Sequence, residues 1–273
     1  MRLALSPLVC LGRAFLVAAG FSFLTVHSVT AAEECTQLTA TGNSEYPPFL
    51  WRQAGSRQLD GAVADFVGEL GERIGVTVNV VDVGPWSRAQ EEVRSGRIDL
   101  MAGAFYTTAR SDYMEYFSPA MLYTRSVVWQ GNQRPFEFHR RSDLKGRWGV
   151  TVINNSFGQS FDEYARKNLN LLTVASLEQA FSMLSSGRAD YALYERSPGL
   201  AYRDKLGFEE QVIEIDPPIS SEGLFLTFSK ASPCNTPKLK QRIADALRAM
   251  HTEGVAKQAV KDALEEWNQL NTK

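Results

Sequence analysis

The sequence predicts an α/β protein made of two lobes built on one plan. Strand patterns alternate with helical patterns along the chain, as in layered α/β domains. The motif S-G-R-x-D occurs twice, at residues 95–99 and 186–190, each time between a helical segment and a short apolar strand. A repeat this sparse does not suit a solenoid. It indicates two lobes that each deliver residues from a strand end to a common face.

The amino-terminal segment differs from the rest of the chain. The whole chain has 273 residues, of which 44% are hydrophobic and 22% charged, enough for one large or two ordinary globular domains. At its start, Arg2 and Arg13 accompany a mostly apolar stretch at 14–29, and small residues follow up to Ala32. This predicts a secretory signal peptide over residues 1–32. A retained membrane anchor is the alternative, although the apolar part is short of the ~20 residues that a spanning helix needs.

Charge and cysteine content narrow the function classes. Cleavage removes Arg2 and Arg13, so Lys+Arg falls from 29 to 27 against 31 Asp+Glu, and the net charge of about −4 does not attract nucleic acid. Cys35 and Cys234 remain, and in an exported protein they predict one disulfide, with two free buried thiols as the alternative. Two distant cysteines and three histidines make a zinc site unexpected, and no cofactor is predicted.

The first strand is predicted at residues 38–41, and a stiff loop follows it. Pro47 and Pro48 end regular structure and fix Tyr46 on that loop. Tyr46 is either the wall of a ligand site or an aromatic plug that closes one end of the core.

A strand–helix–strand unit comes next. Apolar residues at helical spacing predict a helix over 63–74, and β-branched residues predict a strand over 76–81. Trp86 then opens a helix that ends at Gly96. At a junction from strand to helix, Trp86 either contacts a ligand or covers the sheet edge.

The segment from 95 to 119 carries the first candidate for ionic ligand contact. After a buried strand at 98–102, Gly103 and its alanine neighbours let the backbone approach a ligand closely. The threonine pair at 107–108 caps a turn, and Arg110 adds a forked donor suited to a carboxylate. The alternative is that Arg110 is a solvated helix residue.

The second half repeats the plan and supplies the opposite charge. Strands are predicted at 123–129, 148–152, 191–194 and 223–229, helices at about 157–169, 237–250 and 254–267, and a crossing between lobes at 131–135. Glu195, at the end of its strand, is either a solvated carboxylate or a cleft anion. Opposite Arg110 it makes a pair that suits a zwitterion.

Taken together these features resemble the periplasmic solute-binding proteins of polar amino-acid ABC transporters, the bacterial extracellular family 3 type. The resemblance covers residues 46 to 267, and no single motif in it is specific. It is carried by Tyr46-Pro47-Pro48-Phe49, by 61–75, by Trp86, by both S-G-R-x-D motifs, by Thr107-Thr108-Ala109-Arg110 with Phe117-Ser118-Pro119, and by Asp143-Leu144-Lys145-Gly146.

The resemblance implies a two-lobed periplasmic binding protein fold. Each lobe would be a mixed sheet flanked by helices, and two crossover strands would form the hinge that closes on the ligand. Residues 33–128 with 228–273 would form lobe 1, and residues 129–227 would form lobe 2.

The resemblance also implies roles for individual residues. Arg110 would hold the ligand α-carboxylate, helped by backbone N–H groups near Phe105 and at Asn155-Ser156, and Glu195 would hold the α-ammonium. Tyr46 and Trp86 would wall the side-chain pocket. The predicted ligand-binding residues are therefore Tyr46, Trp86, Gly103, Phe105, Arg110, Asn155, Ser156 and Glu195.

Three departures from the family pattern affect the ligand. Phe105 stands where the family often has Ser or Thr, which removes a hydroxyl contact to the ammonium and costs about 1 kcal/mol. The loop at 154–156 replaces the usual Gly-Ser/Thr, and Glu195 replaces the usual Asp. A modified, smaller or non-standard amino acid is therefore a possible ligand.

The expected function is capture of a small zwitterion by a periplasmic monomer that delivers it to a membrane permease. Two alternatives remain open. Relatives on this fold include cyclohexadienyl dehydratases, but these use a glutamate where this chain has Pro198, so no catalytic residue is assigned. The other is a sensor that docks on a signalling receptor.

Overall fold

One sheet of nine strands runs through the structure, a computed structural model that describes residues 34–53 and 55–271. The predicted signal peptide lies outside the described residues. The strands are β1 (Gln37–Thr41), β2 (Glu45–Tyr46), β3 (Leu50–Arg52), β4 (Leu59–Asp60), β5 (Thr77–Val80), β6 (Leu100–Ala104), β7 (Met114–Tyr116), β8 (Leu122–Gly131), β9 (Trp148–Val152), β10 (Asn170–Val174), β11 (Tyr191–Glu195) and β12 (Val212–Ser229). The helices are α1 (Ala62–Arg73), α2 (Trp86–Arg94), α3 (Thr108–Ser111), α4 (Gln159–Asn168), α5 (Leu177–Ser185), α6 (Arg196–Leu206), α7 (Pro237–Glu253) and α8 (Val255–Asn271).

The sheet is mixed, with a parallel group at each end. Its order is β10-β9-β11-β8-β12-β6-β1-β5, with β7 also paired to β12, while β2, β3 and β4 form a separate small sheet. Strands β5, β1 and β6 are parallel, and so are β10, β9 and β11. The long antiparallel strands β8 and β12 lie between the two groups. The α/β class with two lobes is confirmed, and the lobe boundaries stay a prediction.

The repeated S-G-R-x-D motif has the same structural role in both copies. Its glycine takes the left-handed conformation that ends a helix, with φ of 74° at Gly96 and 68° at Gly187. Its aspartate accepts a main-chain hydrogen bond from the neighbouring parallel strand, Asp99 from the N–H of Thr39 and Asp190 from the N–H of Trp148, each at 2.8 Å. The motif therefore ends a helix and anchors an adjacent strand in each half.

Apolar helix faces cover the sheet. In α1 the residues Val63, Phe66, Val67 and Leu70 are buried, as their helical spacing predicts. The carboxyl-terminal helix α8 returns to the first part of the chain, where Trp267 packs edge-on against Trp51 with ring centroids 5.5 Å apart. The predicted disulfide is present, with the Cys35 and Cys234 sulfur atoms 1.98 Å apart.

Several elements differ from the sequence prediction: the short strands β2, β3, β4 and β7 were not predicted, and Tyr46 lies in β2 instead of a loop. Strand β10 and helix α6 were not predicted, although Pro198 falls in the first turn of α6, where its missing N–H costs no helical bond. Strand β12 was predicted only from residue 223 but begins at Val212. It passes the prolines at 217 and 218 where its pairing with β8 shifts register between Ile215 and Ser220, so neither proline has to donate to the ladder.

Candidate ligand-binding site

A cavity lies beyond the carboxyl ends of strands from both parallel groups. Loops that follow β1, β6, β9 and the end of β11 contribute to it, which is where open α/β sheets bind ligands. It contains about 330 Å³ of space between atoms, part of which is open to solvent. Its lining consists of Asn43, Tyr46, Leu50, Trp86, Ala102, Gly103, Ala104, Phe105, Arg110, Asn155, Glu195 and Leu224.

Arg110 is buried at the cavity wall, with 6% of its surface exposed. Thr107 caps the short helix α3 by accepting a hydrogen bond from the main-chain N–H of Arg110 at 3.2 Å, as the sequence predicts. The guanidinium donates to the carbonyl of Phe105 at 3.1 Å and to that of Asn154 at 3.0 Å, and lies 5.2 Å from the ring centre of Trp86. The alternative of a solvated surface arginine is therefore wrong.

Glu195 supplies the acidic group of the cavity. It is the last residue of β11 and only 2% exposed, and its Oε2 atom has no hydrogen-bond partner among the described residues. Burial raises the pKa of the Glu195 carboxyl to about 7, against the opposing effect of the positive charge on Arg110. The alternative of a solvated loop carboxylate is therefore wrong as well.

Aromatic residues form much of the wall. Tyr46 packs edge-on against Tyr194, with ring centroids 6.4 Å apart, and its hydroxyl has no hydrogen-bond partner within the described chain. Trp86 donates from Nε1 to the carbonyl of Asn154 at 3.1 Å, so it contacts the loop after β9 as well as the cavity. Phe105 is 3% exposed and also lines the cavity.

Two neighbouring residues of the loop after β9, Asn155 and Ser156, make different contacts. Asn155 lines the cavity, and its Nδ2 atom is buried without a partner among the described residues. Ser156 lies outside the lining: its hydroxyl donates to Asp162, whose other oxygen accepts from the N–H of Phe157 at 2.8 Å. The main-chain N–H of Asn155 is also engaged, by the carbonyl of Val152 at 3.1 Å. The predicted anion contact at Ser156 stays a prediction.

Seven of the eight predicted ligand-binding residues thus line one cavity, and Ser156 lies beside it. The sequence reasoning missed Asn43, Leu50 and Leu224. Asn43 had a usable signal, because it is a polar residue just after the end of β1, and its Nδ2 donates to the Tyr194 hydroxyl at 3.0 Å. Leu50 and Leu224 carry no such signal, since an apolar residue in a strand indicates only burial.

Neither a membrane span nor a metal cluster accompanies this site. Within residues 34–53 and 55–271, no helix is long and apolar enough to cross a membrane. In the same part of the chain no three His, Cys, Asp or Glu side chains are grouped so as to hold a metal ion.

A cavity at the carboxyl ends of strands, lined by one buried cation and one buried acid, is typical of proteins that bind a small solute. Residues 38–266 match the model of the bacterial extracellular solute-binding proteins, family 3, and the chain belongs to this family.

Individual relatives agree with this membership. The L-cystine-binding protein TcyA of Bacillus subtilis (strain 168) is 22% identical over 217 residues, which cover 80% of this chain and 77% of the relative. A histidine kinase sensor domain with similarity to periplasmic binding proteins superposes with a TM-score of 0.72 at 18% identity, over 85% of this chain and 98% of that one. The substrate-binding protein AbpA of Streptococcus pneumoniae, bound to L-arginine, superposes with a TM-score of 0.70 at 15% identity, over 87% of this chain and 97% of that one. At such identities the solved structures establish the shared two-lobed fold.

Proposed function

We propose that this chain is a periplasmic binding protein that encloses a small amino acid or related zwitterion between its lobes and delivers it to an ABC permease. One observation carries the proposal: Arg110 and Glu195 are both buried and both line the same cavity. The guanidinium would pair with the ligand carboxylate, and the Glu195 carboxylate would pair with the ligand ammonium.

Burial gives these contacts their strength. In a cavity shielded from water, opposite charges attract more strongly than at the surface, and charge-assisted hydrogen bonds are about twice as strong as neutral ones. Both Arg110 contacts in the cavity are to neutral carbonyl oxygens, those of Phe105 and Asn154. A ligand carboxylate is the better acceptor and would take over at least one of these donors.

Unpartnered polar atoms support a polar ligand. Buried polar groups in folded proteins nearly always have hydrogen-bond partners. Among the described residues, the Tyr46 hydroxyl, Asn155 Nδ2 and Glu195 Oε2 are buried without one, and all three residues line the cavity. Their grouping at one place fits a site whose remaining hydrogen bonds are made by a ligand.

Similar proteins support the class of ligand, and the predicted signal peptide supports the location. Two similar proteins are named for L-cystine binding or solved with L-arginine, and both compounds are amino acids. Export by the predicted signal peptide at residues 1–32 would place the mature protein in the periplasm. There the closed, ligand-bound form would dock on a permease, or alternatively on a signalling receptor.

The proposal assigns no catalytic residue. Pro198, which occupies the position of the additional glutamate in the dehydratases on this fold, is buried in the first turn of α6 and has no acid to offer. Glu195 is then a binding group.

Titration calorimetry against the common amino acids tests the proposal. At least one zwitterion should bind, and Arg110→Ala should weaken its binding by about 100-fold or more, because charged hydrogen bonds are lost. Arg166→Ala, at an exposed position of α4, is the matched control and should bind as wild type does. Binding by no zwitterion, or an Arg110→Ala protein as effective as wild type, would refute the function.

A further inference from the structure

We propose that the cavity selects amino acids whose side chain carries no charge. This inference rests on the proposed function and deepens it. Of the described residues that line the cavity, Arg110 and Glu195 carry the charges, one of each sign. A bound amino acid uses both of them, one for its carboxylate and one for its ammonium. No charge of the lining is then left to balance a charged ligand side chain.

The rest of the lining is apolar or uncharged. Leu50, Leu224, Ala102 and Ala104 are apolar, and the aromatic rings add to that surface. A charged side chain that enters such a cavity loses its hydration without gaining a counter-ion, which weakens its binding even after local relaxation. An uncharged side chain gains by burial against the same walls.

Two acidic residues on the elements around the cavity, Asp162 and Glu45, are not part of its lining. Asp162 accepts from the Ser156 hydroxyl and from the main-chain N–H of Phe157, and it does not line the cavity. Glu45 also lies outside the lining, although its main-chain carbonyl accepts a hydrogen bond from the Tyr194 hydroxyl at 3.4 Å. Neither carboxylate lines the space that a cationic side chain would enter.

A larger recess beyond Arg110 carries further charged residues, which do not line the cavity itself. The recess is lined by Arg94, Asp112, Glu163 and other residues, and it shares Arg110 and Asn155 with the cavity. Hydrogen bonds from Arg110 and Trp86 to the Asn154 carbonyl join the two sides at this place. The Trp86 bond would remain when a ligand carboxylate takes over a donor of Arg110, and it joins a residue of the cavity to a residue of the recess.

The unpartnered polar atoms refine the ligand class. Asn43 Nδ2 already donates to Tyr194, whereas the Tyr46 hydroxyl and Asn155 Nδ2 make no hydrogen bond of good geometry among the described residues, although the Asn155 amide lies close enough to Glu195 to lower the pKa of its carboxyl. They suit a side chain with a neutral hydrogen-bonding group or none. L-Cystine is excluded by the same argument, because its second half carries another ammonium and another carboxylate.

Calorimetry at pH 8 with pairs of amino acids of similar size tests the selectivity. Asparagine is compared with aspartate, and norvaline with 2,4-diaminobutyrate, so that size is constant within a pair and charge is not. In each pair the uncharged compound should bind at least about 100-fold more tightly. A charged compound that binds as tightly as its partner, or cystine, lysine or arginine as the tightest ligand, would overturn the selectivity and leave the proposed function standing. Binding by no amino acid would overturn both.

A designed charge provides a second measurement. Asn43→Asp places a carboxylate in the lining with little change of shape, and the ratio of diaminobutyrate to norvaline affinity should rise by about tenfold or more. Asn170→Asp, at an exposed position of β10, makes the same change of net charge outside the cavity and should leave the ratio as in wild type. Thermal unfolding shows whether both variants are folded. A folded Asn43→Asp protein with the wild-type ratio would contradict the inference.

Discussion

The guanidinium of Arg110 donates a hydrogen bond to the main-chain carbonyl of Asn154 at 3.0 Å, across 44 residues of sequence. The same carbonyl accepts from Nε1 of Trp86 at 3.1 Å. Gln90 Nε2 also donates to it at 3.4 Å, so three donors from the first half of the chain hold one oxygen on the loop after β9. These bonds lie at one wall of the cavity. A ligand that contacts Arg110 or Trp86 therefore also affects the contact between the two halves of the chain.

The forked shape of Arg110 should matter as well as its charge. Arg110→Lys keeps a cation but cannot donate to two acceptors in the same fixed geometry. We expect affinity for the best amino acid to fall in the order wild type, Arg110→Lys, Arg110→Ala, with Lys about tenfold weaker than wild type. Titration calorimetry measures the dissociation constants of the three proteins. Equal affinity of the Lys and wild-type proteins would show that only charge is needed.

The indole N–H of Trp86 should contribute to closure. Trp86→Phe keeps an aromatic ring near Arg110 but removes the donor to the Asn154 carbonyl. One neutral hydrogen bond is worth about 1 kcal/mol, so we expect about a 2- to 10-fold loss of affinity, mainly as faster ligand release. Stopped-flow fluorescence gives the release rate. Trp148→Phe, whose tryptophan is 53% exposed, is the control, and an equal effect there would contradict the role of Trp86.

Ligand affinity should depend on pH through Glu195. Only the ionised carboxylate can pair with an ammonium, and burial raises the pKa of this group to about 7. Affinity should therefore be highest above pH 7 and fall as the pH drops, by about 30-fold between pH 8 and pH 5.5. Calorimetry over this range measures it. Glu195→Gln should bind weakly with little pH dependence, and a pH-independent wild type would contradict a role for the carboxylate.

The same group should destabilise the ligand-free protein at high pH. The pKa of Glu195 rises from 4.5 to about 7 on folding, so the folded state holds the proton more tightly than the unfolded chain, and stability falls as pH rises from about 4.5 to 7. Glu195→Gln removes this cost, and its free energy of unfolding at pH 8 should exceed that of wild type by on the order of 3 kcal/mol.

Urea unfolding of the ligand-free proteins at pH 8 and pH 4.5 measures this difference. The advantage of Glu195→Gln should shrink toward zero at pH 4.5, where the wild-type carboxyl is protonated in the folded protein. Glu209→Gln alters an exposed carboxylate in the same way and should show little change at either pH. A Glu195→Gln protein less stable than wild type at pH 8 would refute the burial argument.

The sequence predicted the parts of the site that depend on local pattern. Arg110 was placed by the threonine cap before it, and Glu195 by its position after the second S-G-R-x-D motif. Both signals are local, because a cap and a helix end are determined within a few residues. The cavity also needs Leu224 from a strand far along the chain, and such a contact depends on tertiary packing that periodicity does not encode.

The parts of the fold that were missed have similar causes. Strand β10 is a largely exposed edge strand whose pairing with β9 fixes it, and α6 begins at residues that lack helical apolar spacing. The early part of β12 contains two prolines, which normally end a strand. It persists because β8 pairs with it on both sides of the irregularity. In each case a neighbouring element outweighs local propensity.

The disulfide between Cys35 and Cys234 makes a covalent ring of most of the chain. Every residue that lines the cavity, from Asn43 to Leu224, lies within that ring. A single protease cut in a surface loop between the two cysteines would therefore leave the two fragments joined, and both walls of the cavity would stay on one molecule. Gel electrophoresis would show one band for the nicked protein without reductant and two bands with it, so damage to a loop need not release half of the binding site.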